Sequence, residues 1–183
     1  MTTRLFLLSA PPPTGPPRFG EESPLDARTL SRAAELRPSL PSPSAGCRTA
    51  PSPRCRALAG ALGLAAETDE SLRDLDVGGW RGRALSDVAA SDPEGLAVWT
   101  TDPDAAPHGG EPVTSLCARV AARLESLPDH PGAVLAVVPP AVVRAAVLHA
   151  LNAPATAFWR VDVEPLSVTS LTHHATRWHI RLT

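Results

Sequence analysis

Five apolar residues in succession, Val134-Leu135-Ala136-Val137-Val138, closed by Pro139-Pro140, decide more about the architecture of this chain than any other stretch. A run without alternation fits a strand buried on both faces, as in a parallel sheet covered by helices. The prolines end the strand, and Pro140 suits the first position of a helix, predicted here through Leu151. A central parallel strand needs neighbours joined to it by crossovers, so the remainder of the chain must supply both.

It supplies them in alternation. Arg4-Leu5-Phe6-Leu7-Leu8 predicts a short buried strand, and the stretch 9–24, with six prolines, predicts a loop. Asp26 fits the N-cap of a helix to about Leu36, with Leu30, Ala33 and Ala34 on one side. A second Pro/Ser-rich loop over 38–45 leads into an extended piece at 47–50. Ser52 before Pro53 predicts a capped helix to Leu62, ended by Gly63. Residues 72–77 read as extended up to Gly78-Gly79, 85–90 and 93–100 as helices, and 102–110 as loop. Val113, Leu116, Cys117, Val120, Ala121 and Leu124 recur at helical spacing and mark the clearest amphipathic helix. Three extended pieces follow the helix after Pro140, at 161–163, 166–171 and 178–182. This order predicts an α/β fold, a three-layer αβα sandwich around a mixed, mostly parallel sheet. With about 150 residues per domain as the usual scale, residues 1–183 are expected to form one domain.

Composition removes several classes of function. The 17 basic residues, all arginine, face 19 acidic ones, and a net charge of −2 gives no drive toward nucleic acid or an anionic membrane. A hydrophobic share of 43% at this length can bury a sizeable core. The absence of lysine and tyrosine beside 21 prolines points to a GC-rich genome and a bacterial source. Cys47, Cys55 and Cys117 are odd in number and lack C-x-x-C spacing, which argues against a disulfide framework or a zinc site and for reduced thiols in the cytoplasm. The longest apolar stretch, 132–155, is broken by Pro139-Pro140 and carries Arg144 and His149, so it does not read as a membrane span. The first apolar run, 5–8, is too short for a secretory signal. No G-x-S-x-G elbow, P-loop or G-x-G-x-x-G is present.

Some residues invite chemistry on their own. Asp74 and Asp76 would share one face of an extended segment, an arrangement fit for acid/base work or for capping. Cys55 in a helix's first turn beside arginines could be a nucleophile or an inert buried thiol. His108, before Gly109-Gly110, is the histidine expected to border a cleft, and Trp80 is expected to pack in the core. His173, His174 and His179 cannot all face one ion on a strand, and His149 fits a core or interface role.

Several patterns in this order resemble the histidine phosphatase superfamily, in the branch that includes the cofactor-dependent phosphoglycerate mutases. They are the strand Arg4 to Leu8, then Ser52-Pro53-Arg54-Cys55-Arg56-Ala57 opening a helix. Leu72-Arg73-Asp74-Leu75-Asp76-Val77-Gly78-Gly79-Trp80-Arg81-Gly82 is the most specific. Gly109-Gly110-Glu111 and the run from Val134 to Arg144, followed by Leu148-His149-Ala150-Leu151, complete the set. The resemblance implies a phosphoglycerate mutase-like fold and, in ordinary members, a phosphohistidine mechanism.

The chain departs from that mechanism at its centre. Where the family ends its first strand in Arg-His-Gly, this sequence has Ser9, Ala10 and Pro11. Where the family has Thr-His-Gly-Gly after the central strand, it has Val138, Pro139, Pro140 and Ala141. Both histidine positions are lost, and the prolines also remove backbone N–H groups that could hold phosphate. The resemblance still places Arg54, or Arg56 if the loop shifts, at an anion-binding position. Asp74 takes the acid/base position, and Ser9 and Glu111 fall near the pocket. His108 completes the candidate ligand-binding set. No cofactor or metal is implied. The leading expectation is a pseudoenzyme that binds a small anionic ligand or a protein partner, with a homodimer compatible with either. The alternative is a repurposed enzyme using Asp74 with Cys55 or His108 on a small polar or phosphorylated substrate.

Overall fold

A computed structural model describes residues 2–13, 15–127 and 132–181. Its six strands form one mixed sheet in the order β3-β2-β4-β1-β5-β6. The strands are β1 (Thr3–Ser9), β2 (Cys47–Thr49), β3 (Ala66–Thr68), β4 (Gly132–Val138), β5 (Val168–His174) and β6 (Arg177–Arg181). β4 is central and pairs in parallel with β1 and β2, as its unbroken apolar run requires, and all of its residues from Ala133 to Val138 are buried. β2 and β3 pair in parallel, whereas β5 and β6 are antiparallel additions on the β1 side.

The helices are α1 (Ala27–Glu35), α2 (Pro53–Ala61), α3 (Leu85–Ser91), α4 (Pro93–Thr101), α5 (Val113–Glu125) and α6 (Pro140–Leu151). Pairs α1/α2 and α5/α6 flank the sheet in an αβα sandwich. Their ends follow local chemistry. Asp26 caps α1 by accepting from the Thr29 N–H, and Ser52 caps α2 by accepting from that of Cys55. Val113, Leu116, Val120 and Leu124 form the buried stripe of α5. No helix among the described residues is long and apolar enough to cross a membrane.

Two expectations need correction. Residues 73–77 are not a strand: a 3₁₀ turn at Glu70–Leu72 precedes them and another at Gly78–Trp80 follows. The strand of this region is β3, upstream, where β2 leaves a short parallel edge. Residues 161–163 are likewise not a strand but follow a 3₁₀ turn, Ala155–Arg160, that carries Phe158 into the core. Of the last predicted strand, Leu182 lies outside the described residues.

The first proline-rich loop packs against the rest of the chain. Arg18 bridges Ala84, the Phe19 and Gly82 amides donate to the carbonyls of Arg83 and Phe19, and the Phe19 ring lies 5.2 Å from Trp80 and 5.6 Å from Trp99. Two glycine-containing loops also cross. The Gly79 amide donates to the His108 carbonyl at 2.8 Å, and the Glu111 amide donates to the Asp76 carbonyl at 2.7 Å.

Candidate functional site

The chain leaves β1 toward β2 on one side of the sheet and leaves β4 toward β5 on the other. A crevice therefore opens beyond the carboxyl ends of these adjacent parallel strands, where open α/β sheets bind ligands. Here it is a cleft of about 510 Å³. The proline-rich loop, the start of α2, residues 74–77, the start of α6 and the aromatic turn at 158–159 form its walls.

Arg54 and Asp74 meet there. Arg54 sits in the first turn of α2, its side chain only 8% exposed, because Ser52 and Pro53 fix the helix start against β4. Its Nη1 donates to the Pro11 carbonyl at 3.3 Å, Nη2 lies 3.7 Å from Asp74 Oδ2, and Nε is buried without an acceptor. Arg56 is exposed and does not line the cleft, so Arg54 is the arginine that the helix start delivers. Asp74 accepts from the Leu75 amide at 2.9 Å and keeps a third of its side chain open. Enclosure by the walls holds its pKa above the usual carboxylate value, while the Leu75 amide and Arg54 pull it down.

A second cation stands across the aromatic turn. Arg144, on α6, donates from Nε to the Val161 carbonyl at 2.8 Å, and its guanidinium carbon lies 5.7 Å from the Phe158 ring and 5.5 Å from Trp159. Burial lowers its pKa, which Asp162 and Asp74 partly restore. Trp159 packs on Trp99 at 4.4 Å and donates from its indole to the Trp99 carbonyl. Arg144, Trp99, Phe158 and Trp159 were not among the candidate residues. The available signal was an arginine in an otherwise apolar helix, since a charge there must find partners.

The other candidates sit elsewhere. Ser9 and Ala10 are fully buried beneath the cleft, the Ser9 hydroxyl has no partner, and the Ala10 amide donates to the Val138 carbonyl at 2.8 Å. Pro139 is the buried N-cap of α6, so neither it nor Pro140 offers an N–H at the helix start. Glu111 faces away from the cleft and forms a bidentate pair with Arg119, at 3.0 and 2.7 Å. Arg119 in turn donates to the carbonyls of Ser71 and Arg73. Cys55 is fully buried, and burial pushes its thiol up to about 11, which removes it as a nucleophile at neutral pH. Asp76 does not share a strand face with Asp74; it accepts from the Gly78 amide and from Arg81.

His108 is 5% exposed and does not line the cleft. Its ring lies edge-on to Trp80 at 5.1 Å and Trp99 at 6.0 Å, with Nδ1 accepting from the Gly110 amide and Nε2 unpartnered. Burial holds its pKa below the ordinary 6.5, only partly offset by Asp76. The unfolded chain therefore takes up a proton near pH 6.5 that the folded chain refuses. Stability is expected to be full above that pH and to decline as pH falls through 6.5 toward the lower folded value. Urea melts between pH 7.5 and 5 check this, and His108→Asn, which keeps the Nδ1-like acceptor without titrating, is expected to flatten the acid slope.

The remaining histidines serve the surface. His149 pairs with Glu125 at 2.6 Å, and His173 packs on Trp178 at 5.1 Å across the β5–β6 hairpin. Among the described residues no group of three His, Cys, Asp or Glu side chains is placed to hold a metal ion. Chemically, the cleft combines apolar walls with three guanidinium groups and two carboxylates, an arrangement suited to a small ligand with negative charge.

The family described as "Histidine phosphatase superfamily (branch 1)" matches residues 15–183, which leaves β1, Ser9 and Ala10 outside the match. No curated protein matches the sequence. Among solved structures, a candidate alpha-ribazole-5'-P phosphatase from Escherichia coli is similar with a TM-score of 0.85 and 21% identity, covering 98% of this chain and 95% of that one. A mycobacterial glucosyl-3-phosphoglycerate phosphatase gives 0.79 and 21%, covering 98% and 97%. An Entamoeba histolytica phosphoserine phosphatase, a histidine-to-alanine mutant in complex with phosphoserine, gives 0.80 and 14%, covering 97% and 94%.

Proposed function

Since this chain belongs to the histidine phosphatase superfamily (branch 1), we propose that it is a pseudoenzyme of that family, a module that binds a small anionic ligand in its cleft without transferring phosphoryl groups. One observation carries the reading. The paired ends of β1 and β4, in register at Ser9 and Val138, run on into Ala10 and Pro139. A methyl group and a pyrrolidine ring offer no lone pair to attack phosphorus, and no histidine lines the cleft among the described residues. The Entamoeba mutant lends support, since a histidine-to-alanine chain of this fold forms a complex with phosphoserine.

A second reading, an enzyme of different chemistry acting through Asp74, draws on that carboxyl's raised pKa at the cleft wall. It lacks a partner group, because Cys55 is buried and protonated and His108 packs between tryptophans.

Purified protein incubated with p-nitrophenyl phosphate and a panel of phosphate monoesters is expected to give no turnover above buffer and no phosphoprotein after quenching. Loss of one member of a catalytic unit costs on the order of a millionfold. Turnover at about 1 s⁻¹ or faster, abolished by Arg54→Ala, would overturn the proposal.

A further inference from the structure

The family's cleft is built for a phosphoryl group; the walls of this one suit a different anion. Resting on the proposal that the cleft binds a small ligand, we infer that its ligand is a monocarboxylate with a flat apolar body, held by Arg144 and packed against Trp159. Four observations converge on this.

The first is the missing phosphate cradle. A dianionic phosphate leaves water at high cost and needs several donors in return. At the head of α6 the N-cap and first residue are both proline, Pro11, Pro12 and Pro13 follow β1, and the one amide between them, that of Ala10, is spent on Val138. The backbone at these two strand ends therefore offers a phosphate only the Ala141 amide, too few donors for a dianion.

The second is charge. Arg18, Arg54 and Arg144 face Glu21 and Asp74 around the cleft, which leaves an excess of one positive charge. That matches a monoanion. Arg54 keeps an unpartnered Nε, but Asp74 offsets its charge, and Arg18 donates to the Gly82 carbonyl, so the balance falls to Arg144.

The third is the state of Arg144. Only its Nε has an acceptor; among the described residues its two terminal nitrogens make no hydrogen bond. The rings of Phe158 and Trp159 hold the guanidinium plane in place. A planar, preorganised fork with both terminal nitrogens unspent accepts a carboxylate in two parallel hydrogen bonds. Its lowered pKa is the consequence of burial that such an anion would relieve.

The fourth is shape. About 510 Å³ falls within the range for small-molecule sites, and the walls around Arg144 are Trp99, Trp159, Leu75, Val77 and prolines. Flat aromatic walls favour a flat apolar body.

The test uses 3-phenylpropionate, its neutral amide, phenyl phosphate and inorganic phosphate, read by tryptophan emission and thermal shift. The full chain, Arg144→Met, Arg54→Met and the control Arg56→Met, exposed and outside the cleft, are compared. Expected is saturable binding of 3-phenylpropionate with the amide at least tenfold weaker, that preference lost in Arg144→Met and kept in Arg56→Met, and no shift with inorganic phosphate. Saturable binding of phenyl phosphate or inorganic phosphate tighter than the carboxylate, and lost in Arg54→Met, would overturn the inference while leaving the proposed binding module standing. No response to any of the four probes would also overturn it. Failure of the module itself is read separately, by phosphatase turnover of the same preparation. Arg144→Met replaces a partly buried cation by an apolar side chain of similar length, and an unchanged far-UV spectrum confirms that the variant folds.

Discussion

Glu111→Ala is expected to destabilise the protein by about 3–5 kcal/mol, the cost of stranding one member of a buried ion pair. Glu111 and Arg119 keep only 10% and 12% of their side chains exposed, so water cannot take over the lost partner. Arg119 would keep the Ser71 and Arg73 carbonyls but lose both carboxylate oxygens. Those carbonyls belong to the segment that leads into Asp74, so loosening is expected at the cleft wall before the sheet. Urea denaturation of Glu111→Ala, and of the double variant Glu111→Ala/Arg119→Met, checks the cause. The double variant is expected to recover most of the loss because it removes the orphaned cation as well. A single-variant loss under about 1 kcal/mol would place the pair with solvent-screened surface bridges.

Gly78→Ala and Gly110→Ala should be more damaging still, each beyond about 4 kcal/mol, in the range reached only when a backbone arrangement is broken. Gly78 has φ of +44°, and a Cβ there would run into the His108 carbonyl and come within 2.7 Å of the Gly110 nitrogen. At Gly110 a Cβ would meet the Asp76 carbonyl and lie 2.7 Å from the Gly78 nitrogen. The two loops touch backbone to backbone, with no flexible side chain to yield. Gly60 is the control, since it lies in α2 with nothing within 4 Å of a Cβ. Gly60→Ala is expected to stabilise by about 0.4–1 kcal/mol through the unfolded state. Thermal melts of the three variants separate the effects; equal losses at all three would mean that the loop crossing is not tight.

The same crossing explains what could be read from the sequence and what could not. The glycine-bearing segments at 78–82 and 109–110 stand out in the chain, yet nothing local says that each glycine exists because of the other. That is a long-range steric fact, visible only once Asp76 and Glu111 are paired. Periodicity and capping carried the rest of the framework well: the unbroken run of β4, the Asp26 and Ser52 caps and the α5 stripe lie where those signals put them. They failed at residues 73–77, where alternating side chains suggested a strand but no neighbouring strand was available to receive its hydrogen bonds. At the cleft, Arg54 and Asp74 lie side by side. Glu111 and His108 sit elsewhere, because burial gave them structural partners, Arg119 for one and two tryptophans for the other. Arg144 went unselected because a single charge within an apolar helix carries no spacing pattern of its own.

The prolines that line the cleft have a spectroscopic consequence. Pro12, Pro13, Pro16, Pro17 and Pro140 contribute no amide proton, so much of this surface is silent in a ¹H–¹⁵N correlation map and in amide exchange. A ligand could settle against it and leave the backbone resonances almost unmoved. The reporters are the two wall tryptophans, whose indole protons resonate apart from the crowd. That of Trp159, tethered to the Trp99 carbonyl, would register an arriving guest through the lengthening of a single bond.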